Sequence, residues 1–270
     1  MSAQVAAVRD NGRSSATMRV PRADDVSLLA ELAGEGTERW CVLDGAEPAY
    51  LVPGGHADLI AVPRRLGTEP VDCYRFLATL GPGTVVPSAT VLGAWQLVLA
   101  PAAGTRLLPL SAKRLRGVGY GGVGCGDIAG AVPLVPAPRG VSLTGAALAR
   151  GVDAALLALA DALRGGDLPP PCTAIGPGEI MSLDSGTAVK AAGGVSWVRV
   201  AGGHARRNGD PAAVFGNGEP ALLAGHDWIV VDGPATVEAT CTADLLVAGH
   251  LPAALDAHAT LTLRRIDDRR

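Results

Sequence analysis

Aromatic residues are scarce, at 3% of the 270 residues. A core must therefore be built from Ala, Val and Leu, and with 48% of the chain hydrophobic there is enough of them. Charge is thin as well, at 18%, and the net charge is −3, with no basic patch that suggests nucleic acid. That excludes a nucleic-acid-binding face. No C-x-x-C occurs. The cysteines at 41, 73, 125, 172 and 241 are scattered and odd in number. This pattern excludes a disulfide framework or a zinc ribbon and fits buried free thiols in a reducing compartment. The histidines (His56, His204, His226, His250, His258) form neither H-x-H nor H-E-x-x-H, so no metal centre is expected. G-x-S-x-G and the Walker A pattern are missing. The start, MSAQVAAVRDNGRSSATMRV, lacks the apolar core of a secretory signal and reads as a flexible tail over 1–22.

Glycine and proline are plentiful, at 36 and 20 residues. They cut the chain into short apolar runs, the mark of many brief strands. In the first half these runs are Trp40–Leu43, Ala49–Val52, Asp58–Val62, Tyr74–Leu80, Val85–Val86, Gln96–Leu99 and Arg106–Leu110. In the second half they are Glu179–Leu183, Thr187–Lys190, Val195–Val200, Ala221–Leu223, Trp228–Val231, Thr236–Thr240 and Leu245–Val247. Residues 76–105 carry no charge and are long enough to span a bilayer. Their internal Gly and Pro would leave backbone groups unsatisfied in lipid, so buried strands are expected instead.

Helices are few. Asp24–Leu32 reads as a short one, with an Asp at its start and Leu28, Leu29 and Leu32 facing inward. The clearest is Gly145–Arg164. There Leu148, Val152, Leu156, Leu159 and Leu163 make one apolar stripe on a 3.6-residue period. Ser142 or Thr144 can cap its start, and Gly165-Gly166 can end it. Gly151 inside it costs about 1 kcal/mol relative to Ala, so the stripe has to pack on something. A last helix over Leu251–Ile266 places Leu251, Leu255, Ala259 and Leu263 on one side. Lys113–Arg139 has no regular pattern and reads as a loop. Its Gly119-Tyr-Gly121-Gly-Val-Gly124 is formally G-x-G-x-x-G but lacks the flanking strand and helix of a dinucleotide site.

The resulting fold class is mainly β with helices (α+β), with two β-roll or jelly-roll domains joined by a central helix. The expected boundaries are 23–140 for the first domain, 141–166 for the linker helix, 167–250 for the second domain, and 251–270 for the C-terminal helix and tail. The halves share a signature: Leu80-Gly81-Pro82-Gly83-Thr84 resembles Ile175-Gly176-Pro177-Gly178-Glu179.

Phe215–Leu223, FGNGEPALL, resembles the phosphate-binding cassette of cyclic-nucleotide-binding domains in Gly218-Glu219-Pro220-Ala221-Leu222-Leu223. The resemblance implies a glycine and a helix N-terminus offering N–H groups to a phosphate, with the Glu accepting from a ribose hydroxyl. Gly218, Glu219, Ala221 and Trp228 are thus the candidate ligand-binding residues. Trp228 stands where the cassette needs an Arg to neutralise the phosphate. An indole can fill that place but brings no charge, so Trp228 is expected to be buried and Glu219 to serve as a turn or helix-start residue. Arg206 and Arg207 are the basic residues that could substitute. His204-x-x-x-Asn208 matches a fragment of a cupin metal motif without its Pro and Gly.

The order of landmarks resembles the N-terminal cytosolic region of ATP-binding subunits of NHLM-type (nitrile-hydratase-leader-peptide) bacteriocin ABC exporters. The landmarks include Trp40…Gly45…Asp58–Val62, Leu80–Thr84, Gly151-Val152-Asp153, Gly194–Arg199 and Asp227-Trp228-Ile229. The resemblance spans about residues 24–266 and implies tandem cyclic-nucleotide-binding-like β-rolls that act as a non-catalytic regulatory or binding module in export of ribosomally made, modified peptides. The implied partners are membrane-embedded transporter and ATPase parts, with a precursor's leader peptide and a homodimer as further candidates. No cofactor is implied, and the location is cytoplasmic, at the inner face of the membrane. The chain carries neither a transmembrane bundle nor an ATPase domain, so it is either a fragment or a stand-alone relative, and ATP hydrolysis cannot be assigned to its residues. The rival readings are a bicupin-like binder or enzyme, and a true cyclic-nucleotide sensor.

Overall fold

The computed structural model describes residues 21–45, 47–64, 74–88, 95–116, 118, 142–163, 169–210, 213–216, 218 and 220–267. The tail over 1–20, the G-x-G-x-x-G at 119–124, Gly165-Gly166, Glu219 and the side chain of Leu263 lie outside the described residues. In chain order, α1 (Ala23–Ala30) precedes β1 (Cys41–Val42), β2 (Ala49–Leu51), β3 (Ala57–Pro63) and β4 (Arg75–Leu80). Then come β5 (Val85–Pro87), β6 (Trp95–Pro101), β7 (Leu108–Pro109), α2 (Ala112–Arg116) and α3 (Leu143–Ala162). The second half holds β8 (Cys172–Ile175), β9 (Ile180–Leu183), β10 (Ala188–Ala191), β11 (Val195–Ala201) and β12 (Ala205–Arg207). It continues with β13 (Val214–Phe215), β14 (Pro220–Ala224), β15 (Trp228–Val231) and β16 (Ala235–Thr240). Then follow α4 (Thr242–Val247) and α5 (Leu251–Asp267). The chain is mainly β with helices, as its composition implies. Its charge-free stretch at 76–105 folds as β4, β5 and β6.

The elements fall into two compact units. One contains residues 21–118, 142–163 and 242–267, and the other contains residues 169–241. In the first unit the strands form two antiparallel sheets, ordered β1-β6-β3-β4 and β5-β2-β7. Alternation does the sorting. Ala57, Leu59 and Ala61 of β3 face the core with Trp95 and Leu99 of β6. All five stripe residues of α3 are buried, and Leu159 and Leu163 belong to that same core. Each such Leu or Val contributes roughly 1.5–3 kcal/mol when withdrawn from water. The Ser142 hydroxyl caps the helix by accepting from the Gly145 N–H at 3.0 Å. Gly151 has a packing reason. A Cβ built there would lie 2.6 Å from Val85 Cγ2 and 2.8 Å from the Gly83 carbonyl oxygen. The missing side chain is what lets α3 approach the turn before β5.

α1 is held to α3 by an ion pair. Arg150 Nε donates to Asp25 Oδ2 at 2.9 Å, and its terminal nitrogen reaches Oδ1. The Arg22 N–H also donates to Asp25 Oδ2, at 2.9 Å. Asp25 is buried beside Leu29 on the inner face of α1, while Leu28 and Leu32 are only half-buried. The Asp capping expected for this helix thus comes from its third residue reaching back. The Arg150 guanidinium holds the Asp25 carboxyl below the usual carboxylate range, against the opposing effect of burial.

In the second unit a five-stranded sheet, β13-β12-β15-β10-β8, faces a four-stranded sheet, β14-β11-β16-β9. β8 and β10 run parallel, and the remaining pairs are antiparallel. Val198 and Val200, Ala221 and Leu223, Ile229 and Val231, and Val237 and Ala239 meet in the core between the sheets. Their spacing of two is the strand period itself.

The Gly-Pro-Gly signature forms the same turn in both units. Each time Pro precedes a Gly at positive φ, +80° at Gly83 and +84° at Gly178, the residue pattern of a type II turn. Each turn carries the chain from one sheet to the other. The hydrogen bonds also correspond. Gly83 N–H donates to the Val52 carbonyl at 2.8 Å, and Val52 N–H to the Thr84 carbonyl at 3.0 Å. In the second unit Gly178 N–H donates to the Ala239 carbonyl at 2.8 Å, and Ala239 N–H to the Glu179 carbonyl at 2.9 Å.

Some expectations require correction. Leu245–Val247 is not a strand but the end of α4. The apolar run is too short to reveal its period, and the preceding Thr242-Ala-Asp244 supplies helix-start residues. The loop expected from Lys113 begins instead inside α2. The second unit ends at Cys241 rather than at 250, and α4 and α5 rejoin the first. Likewise α3 is no mere linker, because its stripe is part of the first unit's core. β8, β12 and β13 were not among the expected strands.

Candidate functional site

The cassette-like stretch lies in the second unit, and its local structure is set by pairing with β11. Proline has no N–H and suits the first residue of a helix or of a strand, so Pro220 allows either. Pro220–Ala224 is β14, in register with β11 from Arg199 to Val195. The helix N-terminus expected to face a phosphate is therefore a strand. Gly218 does take a positive φ, +96°, as a cradle glycine would. Its N–H, however, donates to the Val200 carbonyl at 3.3 Å and so serves the sheet.

The other candidates point elsewhere. Ala221 is 1% exposed and faces the core from the four-stranded sheet. Trp228 is 9% exposed and belongs to the five-stranded sheet. Its neighbour Ile229 faces the core, so Trp228 takes the opposite, outer face. The structure thus does not bring Ala221 and Trp228 together.

What Trp228 does instead is legible from its contacts. Asn208 and Gly209 form a tight hairpin turn after β12 with positive φ at both, +51° and +71°. Asn-Gly is the favoured pair for such a turn. The Trp228 ring packs over Gly209, where a Cβ would come within 3.0 Å of Cη2. Trp228 N–H donates to Asn208 Oδ1 at 2.9 Å, and Asn208 N–H donates to the Trp228 carbonyl at 2.8 Å.

Both basic residues that could have met a phosphate are neutralised by the protein's own carboxylates. Arg206 pairs with Asp232 at 2.7 Å near the surface. Arg207 pairs with Asp227, and both side chains are buried, at 2% and 4% exposure. Asn208 Nδ2 donates to the second oxygen of Asp227 at 3.0 Å. This Arg207–Asp227–Asn208 cluster was not foreseen. The Asn-Gly pair was its one sequence signal, since nothing links Asp227 to Arg207 before folding. Breaking a buried pair of this kind costs roughly 3–5 kcal/mol, which marks the cluster as structural.

The cupin fragment dissolves in the same way. Asn208 is committed to the turn, and the His204 ring packs beside Gly216. Among the described residues no three His, Cys, Asp or Glu side chains converge as a metal set. Cys41, Cys172 and Cys241 are free thiols, and only Cys41 is fully buried. An open groove of about 360 Å³ lies between Ser182, Asp184, Gly202 and Thr236, and none of the candidate residues lines it.

No protein-family model matches the sequence, and no curated protein matches it. Several solved structures are similar to it, two of which follow. One is a cAMP-bound PfPKA-R fragment, 141–441, at 9% identity and a TM-score of 0.28 over 91% of this chain and 83% of that one. The other is the regulatory domain of Toxoplasma gondii PKA in co-crystal with cAMP, at 14% identity and a TM-score of 0.24 over 88% and 89%. Both are cAMP-bound regulatory domains. At these TM-scores the likeness decides nothing about the candidate residues, whose roles rest on the contacts above.

Proposed function

We propose that the chain is a non-catalytic regulatory or binding module that acts on the cytoplasmic side of a membrane exporter of ribosomally made, modified peptides. One observation carries the non-nucleotide part of this reading. The cassette-like stretch is paired as β14, the Gly218 N–H is used by the sheet, and Arg206 and Arg207 are each matched to a carboxylate. For either of those arginines to neutralise a cyclic phosphate, its ion pair would have to break, which is costly. The exporter part is supported by the order of landmarks from Trp40 to Asp227-Trp228-Ile229.

The test is reconstitution with an exporter of modified peptides of the proposed class. Membrane vesicles carrying its transporter and ATPase parts should retain the purified chain, and adding the chain should change leader-peptide-stimulated ATP hydrolysis. Vesicles that neither bind the chain nor alter their turnover in its presence would refute the exporter role. One equivalent of Zn, Fe or Mn surviving dialysis against a mild chelator would instead support a bicupin-like binder or enzyme.

A further inference from the structure

With aromatics at 3% of the chain, the places they occupy are informative. Trp95, Trp197, Trp228, Tyr50 and Phe215 are buried. Trp40, Tyr74 and Phe76 are instead 66%, 67% and 56% exposed. All three belong to one face of the β1-β6-β3-β4 sheet of the first unit. Cys41, Leu59 and Leu99 face the core, so Val42, Ile60 and Val98 face outward by the strand period. The register sets Val42 beside Val98, Val98 beside Ile60, and Ile60 beside Phe76. One apolar row therefore crosses all four strands. Trp40 and Tyr74 flank its ends, each two residues before Val42 or Phe76 and so on the same face. Ile60 and Val98 are 7% and 4% exposed, a low floor between aromatic side chains that project at the two edges of the sheet.

We propose that this face is where two copies of the chain associate, as a reversible two-fold dimer. Charge is the first reason. The one charge at an outward position of these strands is Asp58, and its carboxylate already accepts from the Thr79 hydroxyl at 2.8 Å. A face without a cation suits neither an anionic lipid surface nor a nucleic acid. What it matches is another neutral, apolar surface. Among the described residues the other exposed large hydrophobics, Leu143, Ile180 and Val214, stand on α3, β9 and β13. They are single residues on separate elements and form no second patch for a head-to-tail contact. The match available within the chain is the face itself, which closes a two-fold pair.

Shape and area agree. In a two-fold stack the aromatic edge of one copy lies over the low floor of the other, and offset or edge-on ring contacts add to the burial. An aromatic side chain presents about 150–250 Å², so the exposed parts of Trp40, Tyr74 and Phe76 come to roughly 400 Å². Two copies would withdraw roughly 800 Å² through these rings alone, and about 1,000 Å² with Val42, Val62 and Gln96. That is the lower limit for specific association, and it fits a dimer that forms at micromolar concentration and dissociates on dilution. The inference rests on the first unit alone and does not depend on what the chain binds.

Sedimentation velocity on the full chain tests it. The mass should rise from 27.2 kDa toward twice that value as the concentration is raised, over a range of about 1 to 200 μM. Phe76→Lys and Trp40→Lys change exposed side chains, so the fold should survive, and each should weaken association at least about tenfold. Ile180→Lys, equally exposed but on β9, should associate like the wild type. Tryptophan fluorescence of the wild type is an independent measurement. Trp40 is the exposed one of the four, the others being at most 9% exposed, so acrylamide quenching reads this face. Quenching should fall as the dimer forms and stay constant with concentration in Phe76→Lys. A wild type that remains monomeric at about 200 μM overturns the proposal. So does a dimer that both Lys variants leave intact, or one that forms without shielding Trp40. Shielding of Trp40 only on adding phosphatidylcholine–phosphatidylglycerol vesicles would replace the second copy with a lipid surface and equally refute the dimer.

Discussion

The two Gly-Pro-Gly turns have the same backbone and opposite surroundings. At the first, a Cβ on Gly83 would meet Pro21 Cβ at 2.4 Å and Val26 Cγ2 at 3.6 Å. From the other side Gly151 of α3 closes on the Gly83 carbonyl. That turn is clamped between two helices that an ion pair, Asp25–Arg150, holds together. At the second, a Cβ on Gly178 would meet nothing within 4 Å, and the turn is trimmed only by its own Glu179, whose carboxylate accepts from the Gly176 N–H at 2.7 Å. The signature therefore encodes a way of passing from sheet to sheet. Whether the turn becomes part of a core is decided by what packs on it.

The largest expected effect is removal of the clamp. Leu156 sits mid-stripe on α3 at 4% exposure, so Leu156→Ala should cost roughly 2–5 kcal/mol in denaturant melts. A loss under about 0.5 kcal/mol would mean that α3 does not pack as described. Next is the direct contrast between the turns. Gly83→Ala adds steric overlap to a backbone conformation that L-residues resist and should cost roughly 2–4 kcal/mol. Gly178→Ala meets only the backbone penalty, roughly 1–2 kcal/mol. Equal losses at the two positions would erase the distinction.

A smaller effect concerns the ion pair behind the clamp. The Asp25 carboxyl is held below its ordinary 3.8 in the fold. Its contribution is therefore present above that pH and is lost as pH falls through the depressed folded value. Melts at decreasing pH should show the wild type losing stability in that acid range. Asp25→Asn should start less stable at neutral pH and lose less on acidification. An identical acid limb in both proteins would remove Asp25 from the account.

Much of this was legible in the sequence because punctuation and period are local. Gly and Pro bracketed most strands, and five apolar residues on one stripe located α3 and its buried face. Even Gly151 signalled that the helix must pack on something. The cassette-like stretch misled because G-E-P-A-L-L matches a pattern by residue type, while pairing with β11, distant in sequence, makes it a strand. Trp228 at the position of the missing Arg was the better clue, since an indole cannot neutralise a phosphate. The pairs Asp25–Arg150 and Arg207–Asp227 join residues distant in sequence, and no spacing rule links such partners. α4 was missed for a related reason: its burial comes from α3, and three apolar letters do not state a period.

Calorimetry with cAMP and cGMP tests the central claim most directly. With β14 paired, the Gly218 N–H used within the fold and both arginines matched, neither nucleotide should bind more tightly than about millimolar, a free energy of about −4 kcal/mol. Saturable binding in the micromolar range that is abolished by Glu219→Ala would contradict the account and make the chain a cyclic-nucleotide sensor.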